Sequence, residues 1–201
     1  HRHSLAMQEF RGTLQKFDPS ETRSASVRVD WLESWDGILN AHPWLSGPAD
    51  SYLGFTNLGG GSCFEHSHGI DLGLITWRLL GAETPDVVSS DVDWSENGDF
   101  DKSVRLTLCD RSGDFTLEIN QNVLEPEQRK RLSVTIGREE LSVSFSSRKD
   151  IFSHKIGGKL VASQEIGKNR EADFDNEIKA IELYNLNPAT VERGHPLHFG
   201  Q

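Results

Sequence analysis

A thirteen-residue stretch, GGGSCFEHSHGID, concentrates the residue types of this chain that can do chemistry. It runs from Gly59 to Asp71 and holds three glycines, one glutamate, two histidines and one aspartate. Imidazole and carboxylate groups bind metal ions, and they also exchange protons with substrates. The stretch therefore allows a metal site, a general acid/base site, or a turn and helix with no chemistry of their own.

A metal site would use His66 and His68 with the nearby Glu65 and Asp71, ligands of the kind that zinc, iron or manganese accepts. A His-x-His pair works on a strand, where a spacing of two puts both side chains on one face. The apolar spacing after the glycines predicts a helix, on which a spacing of two turns the side chains about 200° apart. His66 and His68 then cannot share an ion, so the sequence predicts no metal site.

An acid/base site would use Glu65, His68 and Asp71, which lie three residues apart and stack along one side of a continuous helix. A carboxylate beside an imidazole fixes its tautomer and raises its pKa, which suits a general acid or base. The glycines before the helix let the backbone pass close to a ligand or to another domain. Spacing alone leaves a second interpretation open, in which His68 caps or packs the helix and does no chemistry.

Hydrophobic periodicity predicts the helices, strand and loop that position this stretch. SLAMQEFRGTLQKF has near-helical apolar spacing and predicts an amphipathic helix, and SASVRVDWLESW alternates as a half-buried strand does. The next segment, DGILNAHPWLSGPADSYLGFTN, is rich in Gly, Pro and Asn and predicts a long irregular loop. From Ser62 to Leu80 the apolar spacing predicts one buried helix, with Gly81 at the stop position.

The second half of the chain is strand-like. Five β-rich runs follow, DVVSSDVDW, SVRLTLCD, DFTLEINQNV, RLSVTIG and ELSVSFSS, with turn signals that indicate antiparallel hairpins and a meander. Beyond Asp150 the pattern weakens and predicts a loop or irregular edge, until EADFDNEIKAIELYN predicts a last helix. The helix over residues 62–80 is expected to pack on one face of the mainly antiparallel sheet.

Composition narrows the class of protein. The 31 acidic and 21 basic residues give a formal net charge of -10, which disfavours nucleic acid and anionic lipid as partners. Two distant cysteines, Cys63 and Cys109, fit a reducing cytoplasm. No apolar run approaches the roughly 20 residues of a membrane span. The chain starts without methionine, which suggests a fragment of something longer.

The segment LGGGSCFEHSHGIDLGLITWRLLG resembles the signature of the glucose-fructose oxidoreductase / inositol dehydrogenase / rhizopine catabolism (Gfo/Idh/MocA) family. Members commonly have three glycines, an acidic residue, then Ser-His-Glu-Ile-Asp and an apolar helix that ends Leu-Gly. The matching positions here are Gly59 to Gly61, Glu65, Ser67, His68, Ile70, Asp71, Leu80 and Gly81. Gly69 departs from the pattern, because it stands where that subgroup usually has glutamate. The resemblance covers roughly Arg2 to Glu182.

The resemblance implies an α+β fold, an open and mainly antiparallel sheet with helices packed on one face, which is the C-terminal domain of the family. There this domain holds a sugar, and an N-terminal Rossmann domain holds NAD or NADP. Because this sequence has no Gly-x-Gly-x-x-Gly fingerprint, residues 1–201 are predicted to be the substrate-binding and dimerisation domain alone, inactive by itself. A homodimer or homotetramer through the sheet face is also implied.

The resemblance also implies roles for individual residues. His68 is the expected acid/base, with Glu65 and Asp71 beside it, and Gly60 and Gly61 are expected near the cofactor. The loop before the glycines and the start of the chain are the natural places for substrate contacts, which predicts His42, Trp44, Tyr52 and Arg2 as substrate-binding residues.

Two functions follow from these observations. The first is the substrate-binding and acid/base-bearing domain of a cytoplasmic NAD(P)-dependent oxidoreductase that acts on a sugar, polyol or nucleotide sugar. The alternative is a non-catalytic carbohydrate-binding or dimerisation module that lacks a cofactor domain.

Overall fold

The computed structural model describes residues 1–18, 22 and 24–186. Its helices and strands are, in chain order, α1 Leu5–Leu14, β1 Ala25–Ser34, α2 Trp35–Ala41, α3 Gly61–Glu65, α4 His68–Leu79, β2 Asp86–Trp94, β3 Asp101–Cys109, β4 Phe115–Asn122, β5 Leu124–Ile136, β6 Glu139–Phe145, β7 Lys149–Ile156, β8 Lys159–Gly167 and α5 Arg170–Leu186. Three single-turn 3-10 helices lie between α2 and α3, over Pro48–Asp50, Tyr52–Gly54 and Thr56–Leu58.

The strands form one eight-stranded sheet in the order β2-β3-β4-β1-β5-β6-β7-β8. β1 lies between β4 and β5, parallel to the first and antiparallel to the second, and every other neighbouring pair is antiparallel. The predicted mainly antiparallel sheet is therefore confirmed. The predicted uninterrupted meander is wrong, because β1 enters between the third and fourth of the strands that follow α4.

The helices cover one face of this sheet, as predicted. α4 lies across β1, β4 and β5, and α1 lies across β6 and β7. Alternate residues of the central strands point toward these helices and are buried with Leu72 and Trp77 of α4. The core members on the central strands β1, β4 and β5 are Ala25, Val27, Val29, Trp31, Leu117, Ile119, Leu132 and Val134. Burial of this apolar surface is the main force that holds the helical layer to the sheet.

The opposite face of the sheet is open and polar. At its centre the guanidinium of Arg28 contacts Asp30 at 3.2 Å and Glu118 at 3.5 Å, and the amide of Asn120 donates to Asp30 at 3.4 Å. A groove of about 200 Å³ runs between these side chains and those of β3, including Arg105. Among the described residues, the sheet thus has one apolar face that helices cover and one charged face that no element covers.

Three predicted elements differ from the structure. The predicted helix over residues 62–80 is two helices, α3 and α4, separated at His66 and Ser67. The predicted irregular segment after Asp150 is the hairpin of β7 and β8, whose two-residue turn, Gly157 and Gly158, has φ values of 58° and 79°. Positive φ at both positions is the geometry of a tight hairpin turn, which only glycine and a few polar residues accept readily.

The third difference lies in the predicted loop before the glycines. It begins with α2, whose N-cap Ser34 accepts a hydrogen bond from the backbone N–H of Asp36 at 3.2 Å. A small second core then holds the 3-10 segment against the end of the sheet. There the tilted rings of Trp35 and Phe100 pack with their centres 4.9 Å apart, beside Leu53 and Val123. This core determines where the chain enters the glycine segment.

Candidate functional site

The glycine segment is packed against the protein on two sides. The backbone of Gly60 lies against the carbonyl of Tyr52, and that of Gly61, at φ 87°, lies against the carboxylate of Asp101, so closely that neither position has room for a Cβ atom. Both glycines are buried. Gly59, at φ 92°, has open space around it and only turns the chain.

Asp101, at the start of β3, anchors the segment. Its carboxylate is 2% exposed and accepts hydrogen bonds from the hydroxyl of Ser62 at 2.6 Å and the backbone N–H of Cys63 at 2.8 Å. A carboxylate at this position satisfies one of the free N–H groups of the first turn of α3 and complements the helix dipole. Sequence reasoning missed Asp101 because its partners lie 38 and 39 residues away and nothing in the local pattern marks it.

The segment between α3 and α4 is held by the sheet. His66 ends α3 in a non-helical conformation, φ -104° and ψ 29°, and its backbone carbonyl accepts a hydrogen bond from the side-chain amide of Gln121 at 2.5 Å. The ring of His66 is buried, and its Nδ1 lies 2.5 Å from the carboxylate of Glu33 on β1. Glu33 also pairs with Lys130 of β5, whose ammonium lies 5.2 Å from the centre of the Trp31 ring.

The protonation of this buried cluster follows from its charges. Burial lowers the pKa of His66, and the negative charge of Glu33 is already matched by Lys130, so a neutral imidazole donates from Nδ1 to Glu33. Burial and the nearby Lys168 lower the pKa of Lys130 to about 8. Neither Glu33, near the end of β1, nor Lys130, in the middle of β5, has a local spacing that indicates a pairing with the other.

His68 is the first residue of α4, and its side chain remains exposed. Its ring lies edge-on to that of His1 at 5.6 Å and 6.1 Å from that of Trp31. Partial burial against these groups lowers the pKa of His68, and the carboxylates of Asp71 and Glu65 oppose the shift. The imidazole is therefore neutral near pH 7 and open to a ligand.

The two carboxylates beside His68 each have another partner. Asp71 pairs with Arg2 at 3.2 Å, and Glu65 accepts a hydrogen bond from the hydroxyl of Tyr52, which raises the pKa of Tyr52. The predicted stacking of Glu65, His68 and Asp71 along one continuous helix is wrong, because the helix is interrupted between the first two. Both carboxylates still act on His68 electrostatically.

Two of the residues predicted to bind substrate adjoin the group formed by His68, Glu65 and Asp71. Arg2 contacts the group through Asp71, and Tyr52 contacts it through Glu65. His42 and Trp44 instead contact each other, with ring centres 5.1 Å apart, in the segment after α2, where Trp44 is 72% exposed. The structure thus gives Arg2 and Tyr52 a direct connection to the neighbours of His68 and gives His42 and Trp44 an exposed aromatic surface.

In the part of the chain that the structure describes, no group of three or more His, Cys, Asp or Glu side chains is arranged to hold a metal ion. No helix among the described residues has the length and apolar character needed to cross a membrane.

No family model matches the sequence, and no curated protein matches it. Solved structures do match. The chain is similar to KijD10, a 3-ketoreductase from Actinomadura kijaniata in complex with NADP and TDP-benzene, with a TM-score of 0.65 and 11% identity over 98% of this chain and 54% of that one.

Two further structures from other organisms have the same fold. UDP-N-acetylglucosamine 3-dehydrogenase GnnA from Acidithiobacillus ferrooxidans matches with a TM-score of 0.59 and 15% identity, over 91% of this chain and 51% of that one. A dehydrogenase, MviM, from Clostridium difficile matches with a TM-score of 0.53 and 10% identity, over 94% and 53%. The chain thus spans about half the length of each structure. At these identities the likeness shows the fold alone, and it confirms the predicted α+β fold.

Proposed function

We propose that this chain is the substrate-binding and acid/base-bearing domain of a NAD(P)-dependent oxidoreductase that acts on a sugar, polyol or nucleotide sugar, and that it is inactive by itself. The observation that carries the proposal is the exposed, neutral imidazole of His68 at the first residue of α4, between the paired carboxylates of Glu65 and Asp71. The fold supports it, because it is shared with structures described as a 3-ketoreductase and a 3-dehydrogenase.

The chemistry explains why such a domain needs a neutral imidazole. When an alcohol is oxidised to a ketone, a nicotinamide takes the hydride and a base must take the hydroxyl proton. Because its pKa is lowered, the imidazole of His68 is unprotonated near pH 7 and can accept that proton, and in the reverse direction the imidazolium returns it to the carbonyl oxygen. Asp71 and Glu65 favour the imidazolium that forms, while Arg2 and Tyr52 keep these carboxylates in place.

Three backbone N–H groups of the glycine segment already have acceptors within this chain. The backbone N–H groups of Gly59, Gly60 and Cys63 are engaged by Thr56, Phe55 and Asp101 at 3.0, 3.0 and 2.8 Å, so they are not free to hold a phosphate. Binding of NAD or NADP is therefore assigned mainly to residues outside this chain. The role proposed for Gly60 and Gly61 is to hold the start of α3 close to Asp101.

The substrate is proposed to lie over His68, with Arg2 and Tyr52 at its edge. A guanidinium donates hydrogen bonds to sugar hydroxyls or phosphates. Tyr52 is 49% exposed, and its hydroxyl, which donates to Glu65, can accept a hydrogen bond from a sugar hydroxyl. The exposed ring of Trp44, supported by His42, offers a surface on which a sugar ring can stack. That same surface favours the second candidate, a carbohydrate-binding module without catalysis.

The open face of the sheet is proposed to join two copies of the chain. Arg28, Asp30 and Glu118 present both signs of charge there, so two faces related by a twofold axis can pair unlike charges. An antiparallel sheet with one uncovered face is a common surface for such pairing. A homodimer, or a homotetramer built from two such dimers, is the proposed assembly.

The decisive experiment uses the intact native protein and the variant His68→Ala, assayed with NAD and NADP against a panel of sugars that includes UDP-N-acetylglucosamine. If His68 is the acid/base, kcat falls by ~10²–10⁴ while the melting temperature stays close to that of the wild type. His154→Gln is the matched control, because His154 pairs with a carboxylate, Glu139, at 2.7 Å on β6 and β7, away from α4. Normal turnover of His68→Ala would end the catalytic assignment, and sugar binding without any nicotinamide-linked turnover would favour the second candidate.

A further inference from the structure

The interruption between α3 and α4 is fixed from outside the helices. Two strands hold His66, because Glu33 of β1 accepts from its ring at 2.5 Å and Gln121 of β4 donates to its carbonyl at 2.5 Å. His66 is 5% exposed and Gln121 is fully buried. The local sequence favours one continuous helix here, so these contacts oppose the helical tendency of residues 66 and 67.

Glu33 is the fixed point of this arrangement. Its carboxylate is 13% exposed and lies between the ring of His66 and the ammonium of Lys130. A carboxylate buried to this degree is tolerated only when it is paired and hydrogen-bonded, and here both conditions hold. Glu33 therefore has one favourable position, and the ring that donates to it has one favourable tautomer and orientation.

The interruption determines the surroundings of His68. Because α4 begins at His68, the imidazole stands at the positive end of the helix dipole, which favours the neutral ring. The titratable side chains that act on it are His66, Asp71 and Glu65, and Asp71 is itself paired with Arg2. Trp31 of β1 and the ring of His1 complete its surroundings.

We propose that Glu33 is a positioning residue for His68: through the ring of His66 it keeps α3 and α4 apart and so places His68 at the first residue of α4. The inference rests on the proposed function of His68. Without Glu33, only the hydrogen bond from Gln121 opposes the helical tendency at His66, and α3 and α4 are expected to join in one helix. His68 then leaves the helix terminus, and Glu65 lies one turn before it on the same side.

The released state has a measurable signature. When His68 no longer lies at the N-terminus of α4, the helix dipole no longer disfavours its imidazolium form. Glu65, then one turn away on the same side, favours that form. Both changes therefore raise the pKa of His68. The pKa of His68 is expected to rise by about 0.5 pH unit. The displaced imidazole is expected to lower kcat roughly 10- to 100-fold, with little change in KM, because substrate contacts elsewhere remain.

The test uses the intact native protein and the double variant Glu33→Leu/Lys130→Met. Replacing both members of a buried ion pair by apolar residues of similar size usually preserves folding, and here it removes the acceptor for His66. The control is Glu33→Gln/Lys130→Met, which also removes both charges but keeps an amide oxygen that accepts from Nδ1. The titration of His68 is followed by NMR of its imidazole, assigned with His68→Gln, and kcat and KM are measured in parallel.

The pKa of His68 is expected to rise in the Leu/Met variant and to stay near that of wild type in the Gln/Met variant. An unchanged titration of His68 in a folded Leu/Met variant would overturn the positioning role, whatever the activity. If the Leu/Met variant does not fold, His66→Ala and His66→Asn give the same comparison, since asparagine keeps an N–H donor for Glu33. If His68→Ala has normal turnover while the titration of His68 is shifted in the Leu/Met variant, the proposed function is wrong and the positional effect of Glu33 remains supported.

Discussion

Asp101→Ala is predicted to destabilise the fold by removing the anchor of the glycine segment. The carboxylate of Asp101 is 2% exposed and accepts from the hydroxyl of Ser62, which is fully buried, and from the backbone N–H of Cys63. Each buried donor left without an acceptor costs about 1–3 kcal/mol. Removing a buried carboxylate recovers part of that cost, so the expected net loss is about 2–4 kcal/mol of the free energy of unfolding.

The measurement is urea unfolding of wild type, Asp101→Ala, Ser62→Ala and Asp91→Ala. Ser62→Ala removes the donor together with its hydroxyl and is expected to cost only about 1 kcal/mol, because no orphaned group remains. Asp91 is the control carboxylate, since it lies on β2, is 79% exposed and is 3.8 Å from Arg105, so its removal is expected to change stability little. Equal urea midpoints for Asp101→Ala and Asp91→Ala would refute the structural role given to Asp101 and reopen the glycine segment as a ligand site.

Three further predictions follow from contacts described above. Gly61→Ala is expected to destabilise the protein more than Gly59→Ala, because both have positive φ but only Gly61 lies against Asp101; equal melting temperatures would contradict this. His3, whose pKa is lowered to about 4 by burial and then by the nearby guanidinium groups, binds fewer protons folded than unfolded. Stability should therefore fall between pH 6.5 and 4, by about 3 kcal/mol at most, and His3→Gln should flatten that part of the unfolding curve. Glu118→Arg, a charge reversal on the open face, is expected to shift sedimentation from dimer toward monomer, and a wild-type monomer at micromolar concentration would count against the dimer.

The general fold was predictable where one face of an element is buried. Alternation in β1 and the apolar spacing of α4 come from burial against the same core, so the sequence pattern and the packing agree. The hairpin of β7 and β8 was missed because β8 is an edge strand with an exposed surface, and its alternation is correspondingly weak. The pair Gly157 and Gly158 was the available signal for it.

The site was predictable only in its residue types. His68, Glu65 and Asp71 stand close enough to interact, but the geometry predicted for them required a continuous helix. That helix is interrupted by Glu33 and Gln121, which lie on strands far away in sequence. The hydrophobic periodicity of a segment indicates its tendency to form a helix. It gives no information on a buried carboxylate, distant in sequence, that opposes that helix.

The structure explains the glycine at position 69, where the pattern that this segment resembles usually has glutamate. A Cβ atom at Gly69 would lie 3.0 Å from the Cβ of Trp31, and one at Gly73 would lie 3.0 Å from Leu117, so α4 approaches β1 and β4 through two glycines one turn apart. A glutamate at position 69 would push the helix away from the sheet at the residue that follows His68. The large side chain of Trp31 on β1 thus occupies the space left by the absent side chain of Gly69 on α4. This fit brings the ring of His68 to 6.1 Å from the ring of Trp31. The contact of Gly69 with Trp31 sets the distance of α4 from the sheet, and the contacts of His66 set the residue at which α4 begins. The position of His68 requires both.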